Sequence, residues 1–216
     1  MRWFVAVSLF IAPAAFAESV PEVVSVEVPN AGFEAAELAP WEAYGDVVEV
    51  INDDCAAGNA CLRLGIAAGA PNNEAGIYQD VAVVSPRSLR VSAGIAVDEA
   101  LTGDTIVELK LELPGSEDYV WTEVHSGATP VGAWDKPVLC IDVTGDQALA
   151  RPVVLVRSPT GTGTGVVRVD AIELMASISP CNAGASDDDG GCAGGALGFA
   201  PASLLLFFCR SRRVSR

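Results

Sequence analysis

Residues 105–113 read TIVELKLEL and residues 165–176 read GVVRVDAIELMA. In the first, Ile106, Glu108, Lys110 and Glu112 alternate with Val107, Leu109, Leu111 and Leu113. A period of two places the charged set on one face of an extended strand and the aliphatic set on the other. In the second, Val167, Val169, Ala171 and Glu173 alternate in the same way with Arg168, Asp170, Ile172 and Leu174. Outward from these two, further β-branched runs occur at Val23–Val28, Val47–Ile51, Cys61–Ile66, Gly76–Val84, Ser88–Val97, Val120–Val124, Pro137–Val143 and Pro152–Arg157. Turn residues separate them, as in Pro29-Asn30-Ala31-Gly32, Pro71-Asn72-Asn73 and Pro114-Gly115-Ser116. Ten short strands without a long segment of helical period predict an all-β fold, an antiparallel β-sandwich filling residues 18–176. Residues 177–191 read as a polar, glycine-rich linker.

The chain of 216 residues has room for one such domain, and its hydrophobic fraction of 50% is enough to build a core. Only 13 Lys and Arg stand against 28 Asp and Glu, a net charge of −15. Five of those basic residues (Arg2, Arg210, Arg212, Arg213 and Arg216) and none of the acidic ones fall in 1–17 or 192–216, so residues 18–191 carry −20. Such a surface repels nucleic acid and suits neutral ligands or cations.

Both ends read as targeting segments. MRWFVAVSLFIAPAAFA has a positive Arg2, an apolar run from Trp3 to Ala12 and an A-x-A site ending at Ala17. This is the pattern of a secretory signal peptide, 1–17, with the mature chain starting near Glu18. At the other end, small and acidic residues precede Cys192, and the apolar stretch Ala196–Cys209 is expected as a short hydrophobic helix before the closing arginines. Small residues, an apolar tail and a basic stop form the layout of a removable anchor signal at 192–216.

Six cysteines occur, and export permits disulfides. Cys55 and Cys61 enclose a small turn-rich loop, which makes a local bridge sterically easy. Cys140 and Cys181 are the remaining pair within the domain. Four cysteines allow three connectivities, and Cys55–Cys61 with Cys140–Cys181 is the expected one. No pair has the C-x2-C spacing of a zinc site, and His125 is the sole histidine.

Two resemblances extend this reading. Gly191-Cys192, the small residues after it, the Leu/Phe run and the Arg cluster resemble the myxobacterial C-terminal sorting signal, MYXO-CTERM, and its relative GlyGly-CTERM. That resemblance implies a sorting protease that removes the tail, a lipid-modified Cys192 and a membrane-anchored or released protein at the cell surface. Within the domain, Asn30-Ala31-Gly32-Phe33-Glu34 followed by Pro40-Trp41, then Tyr78-Gln79-Asp80-Val81, Leu89 to Ala93, and Val169-Asp170-Ala171-Ile172-Glu173-Leu174 resemble the motifs of carbohydrate-binding modules of the family 4, 9 and 22 type. It implies a galactose-binding-like jelly roll, with Trp134 as a late core tryptophan beside Phe33 and Trp41. It also implies a structural Ca2+ where the first and last strands meet, with carboxylates from Glu34 and Asp170 and further oxygens from Gly32 and the Asp53/Asp54 loop.

A sugar needs aromatic faces to stack on and polar neighbours for its hydroxyls. The candidates are Tyr44, Tyr78, Tyr119 and Trp121, with Glu123 and His125 beside them. No G-x-S-x-G or H-E-x-x-H motif occurs, Gly161-Thr162-Gly163-Thr164-Gly165 lacks a following helix, and Asp187-Asp188-Asp189 reads as solvated linker. The expectation is a non-catalytic, exported module that binds a polysaccharide or surface glycan. Its rival is a structural or adhesive surface protein whose sandwich binds protein or no small ligand. Exposed aromatics gathered on one concave face distinguish the first from the second.

Overall fold

A computed structural model describes residues 23–181, and the segments 1–17 and 192–216, with most of the linker, lie outside the described residues. Thirteen strands form two antiparallel sheets. They are β1 (Val23–Val26), β2 (Glu42–Tyr44), β3 (Val47–Ile51), β4 (Cys61–Ile66), β5 (Glu74–Tyr78), β6 (Val81–Ala82), β7 (Ser88–Glu99), β8 (Ile106–Glu112), β9 (Tyr119–Ser126), β10 (Trp134–Asp135), β11 (Val138–Asp142), β12 (Leu149–Arg157) and β13 (Gly165–Ser177). One sheet runs β10-β7-β13-β4-β3, with β1 beside β13 and β11 beside β7. The other runs β2-β5-β12-β8-β9, with β6 beside β12. No helix is present among the described residues.

The core lies between the sheets. Leu62, Leu64, Leu89, Val91, Ile95, Val167 and Val169 face Ile77, Val107, Leu109, Leu111, Val154 and Val156, all buried. Burying each such side chain contributes about 1.5–3 kcal/mol. A one-residue slip of β8 would expose Val107, Leu109 and Leu111 together, a loss comparable with a domain's whole stability, and this pins the register. Phe33 and Trp41 close one end of the core with ring centroids 5.9 Å apart, and the Trp41 indole donates to the Asn30 carbonyl at 3.0 Å.

Three sequence expectations need correction. The alternation of β13 does not run through: its pairing with β7 shifts between Asp170 and Glu173, where Ala171 has φ 47°. This bulge moves the core face from Val167 and Val169 to Ile172 and Leu174, leaving Asp170 and Ala171 at the irregularity. The run Gly76–Val84 divides into β5 and β6. Pairing of β12 with β8 continues through Pro152, but the β5/β6 side is interrupted there, consistent with proline's missing N–H. Trp134 is not in the core. It sits half-buried on β10, with its ring 5.5 Å from the Arg168 guanidinium.

Two disulfides staple the sandwich, Cys55–Cys61 and Cys140–Cys181. The second ties β11 to the chain just beyond β13, across 41 residues of sequence. By loop-closure entropy it restricts the unfolded chain more than the short bridge does.

Candidate functional site

Strand register lays out the outward face of the six-stranded sheet as rows. One row reads Tyr44 (β2), Gly76 (β5), Leu155 (β12), Glu108 (β8), Glu123 (β9). The next reads Glu42, Tyr78, Val153, Lys110, Trp121. A third holds Arg151, Glu112 and Tyr119. Over these rows lies a cleft of about 590 Å³ with an aliphatic floor of Val153 and Leu155 and rings from β2 and β5 on one side and β9 on the other. A smaller hollow of about 370 Å³ over the 113–118 hairpin shares Glu112, Tyr119 and Arg151 and prolongs it.

Gly76 shapes the floor. A Cβ there would lie 2.6 Å from the Tyr44 hydroxyl and 2.7 Å from Leu155 Cδ2, so only glycine lets the Tyr44 ring lie close over β5. The Tyr44 hydroxyl donates to Glu74 Oε1 at 2.7 Å, and the Tyr78 hydroxyl donates to Glu42. Burial, followed by the Glu74 hydrogen bond, pushes the Tyr44 hydroxyl well above the usual tyrosine range, so it remains a donor. The hydrogen bond to Glu42 raises Tyr78 in the same sense.

The cations of the cleft are paired. Lys110 meets Glu112 at 2.5 Å and lies 4.3 Å from the centre of the Tyr119 ring. Arg151 donates twice to Asp80, at 2.6 and 3.0 Å, and its guanidinium covers the Tyr78 ring at 4.9 Å. Arg157 donates to Glu108 at 2.6 Å. Burial raises the pKa of Glu108 despite this partner, whereas the Arg151 hydrogen bonds hold Asp80 below the ordinary carboxylate range. Cations therefore cover Tyr78 and Tyr119, and no cation stands over Tyr44 or Trp121 among the described contacts.

All four sequence-nominated rings, Tyr44, Tyr78, Tyr119 and Trp121, line this cleft. Glu123 is exposed on the same face, opposite Glu108, but outside the lining. His125 does not belong to it: the side chain is buried, with Nε2 3.1 Å from the Ile95 carbonyl. Sequence reasoning missed the lining residues Glu74, Arg151, Val153, Leu155 and Arg157, and Gly76 beneath the Tyr44 ring. It had already placed Glu108, Lys110 and Glu112 on the polar face of one strand.

Of the calcium candidates, Asp170 lies on β13 of the other sheet, and Gly32, Glu34 and Asp53 lie in loops. Glu34 accepts N–H groups from Asn59, at 2.9 and 3.1 Å, and Ala60, at 3.2 Å. Gly58, with φ 64°, leaves room for that carboxylate, since a Cβ there would sit 1.9 Å from Glu34 Oε1. Asp170 is fully buried and accepts N–H groups from Ala57 at 2.8 Å and Ala171 at 2.6 Å. Burial raises its pKa, and the Glu34 charge adds to the shift. Gly32 lies against both, with Asp170 Oδ1 3.5 Å from its would-be Cβ. Asp53 is exposed, and no group of three His, Cys, Asp or Glu at metal-binding spacing occurs among the described residues. Asp54 is committed to Arg168. The buried Asp170 and the neighbouring, exposed Glu34, neither bonded to a cationic side chain, fit a hard cation, provided that carbonyls supply the remaining oxygens.

No family model matches the chain, and no curated protein matches it. Solved structures share its fold. The carbohydrate-binding module TmCBM61, in complex with β-1,4-galactotriose, superposes with a TM-score of 0.54 at 18% identity, covering 70% of this chain and 99% of its own. A Stig cyclase from Fischerella sp. TAU gives 0.54 at 15% identity, covering 72% and 98%. The enzymatically active domain of bacteriophage CBA120 tailspike protein 4 gives 0.51 at 13% identity, covering 69% of this chain and 21% of that one. Likeness at this level establishes the jelly-roll β-sandwich, a fold that serves binding modules and enzymes alike.

Proposed function

We propose that the cleft of the six-stranded sheet binds a polysaccharide and that the protein is a non-catalytic binding module. The observation that carries this reading is the gathering of four aromatic rings and paired polar groups on one open sheet face. Rings supply stacking faces, while the carboxylates and guanidinium groups between them offer acceptors and donors to hydroxyls. The rival reading, a structural or adhesive surface protein whose sandwich binds protein or no small ligand, expects a smooth polar face. Retention on immobilised polysaccharides tests the proposal directly.

Glu34 and Asp170 would hold a structural Ca2+ in this reading, with backbone oxygens near Gly32 completing the shell. The ion would supply charge neutralisation and a tie between the domain's opening and closing segments.

Export and anchoring complete the proposal. The signal peptide 1–17 is removed after Ala17, a sorting protease cuts the 192–216 signal, and Cys192 carries a lipid to the outer membrane or cell surface. Intact mass of the protein from its host is expected to lack residues 1–17 and the arginine tail. An unmodified chain ending at Arg216 would contradict the sorting step.

A further inference from the structure

We propose that the cleft selects an uncharged polysaccharide over a uronate-bearing one, with Asp80 as a specificity-determining residue. This rests on the carbohydrate reading of the same site.

Each cation of the cleft is held by a carboxylate of the protein: Lys110 by Glu112, Arg157 by Glu108, and Arg151 by Asp80 with Glu112 3.6 Å away. The bidentate Asp80 pair occupies the fork with which an arginine grips a carboxylate. An incoming uronate would have to displace Asp80 from Arg151, and it would do so beside Glu42, Glu74 and Glu112 on a chain of net charge −15. A neutral sugar leaves every pair intact and draws on lone pairs and N–H groups the pairs do not use. Partly exposed ion pairs add little to folding stability. Their concentration on this one face, with two of the cations laid over tyrosine rings, is instead suited to setting which ligand enters.

The test uses affinity electrophoresis of the protein in β-mannan, β-glucan and β-1,4-galactan, each set beside the same polymer oxidised to the uronate at C6. Wild type is expected to be retained by at least one neutral polymer and roughly tenfold or more weakly by its oxidised form. High salt narrows that gap, because exposed charges are screened beyond about 10 Å at 0.1 M. Asp80→Asn, checked for an unchanged melting temperature, frees Arg151 and raises retention on the oxidised polymer. Equal or stronger wild-type retention on the oxidised form overturns the selection and leaves glycan binding standing. A gap untouched by Asp80→Asn removes Asp80 from it. No retention on any neutral polymer overturns the carbohydrate reading itself, and the selection with it.

Discussion

Replacing Trp121 by alanine is expected to abolish retention on polysaccharide and to leave the melting temperature nearly unchanged. Trp121 projects from the edge strand β9 into the cleft opposite Lys110, outside the packed core. With Tyr78 and Tyr119 covered by cations, Trp121 and Tyr44 are the rings left open to stack on a sugar. Losing a principal binding ring costs on the order of 2 kcal/mol, about thirtyfold in affinity. A surface truncation away from the core shifts folding stability by only about 0.5 kcal/mol. Affinity electrophoresis and a thermal melt on the same sample separate the two effects. A large fall in melting temperature would make Trp121 a packing residue, and undiminished retention would remove it from the site.

Calcium is expected to raise the melting temperature, and a chelator to lower it. Glu34 stands in the opening motif and Asp170 in the closing strand, so an ion bound by both joins distant parts of the chain. An ion that binds only the folded state at ~100 times its dissociation constant adds about 2.7 kcal/mol. For a domain of this size that is roughly 5–10 °C. Asp170→Ala removes the response, and magnesium replaces calcium poorly because it requires a tighter octahedral shell. Superimposable melting curves with calcium and with chelator would show that the two carboxylates serve only the backbone N–H groups they already accept.

The sandwich was legible because strand alternation is local: TIVELKLEL carries its two faces in nine residues. The bulge at Ala171 was not, because it arises from the register between β13 and β7, which no single strand encodes. The rings of the cleft could be nominated singly, as partly polar aromatics outside the core pattern. Their floor could not. Gly76, Val153 and Leu155 become one surface only through pairing of β5 with β12. Ion pairs divide the same way, since Lys110 and Glu112 share a strand while Asp80 and Arg151 are 71 positions apart. Trp134 misled for a related reason: a large aromatic ordinarily belongs in the core, yet here the Arg168 guanidinium, in the same cross-strand row of the same sheet through Ala96, supplies its partner.

A glycan array probed with the wild-type domain and with the Tyr44→Ala, Trp121→Ala double variant tests the binding cleft most directly. The account predicts wild-type signal on extended neutral glycans and its loss in a double variant that melts like the wild type. An array blank for the wild type, or a signal that survives loss of both rings, would contradict it.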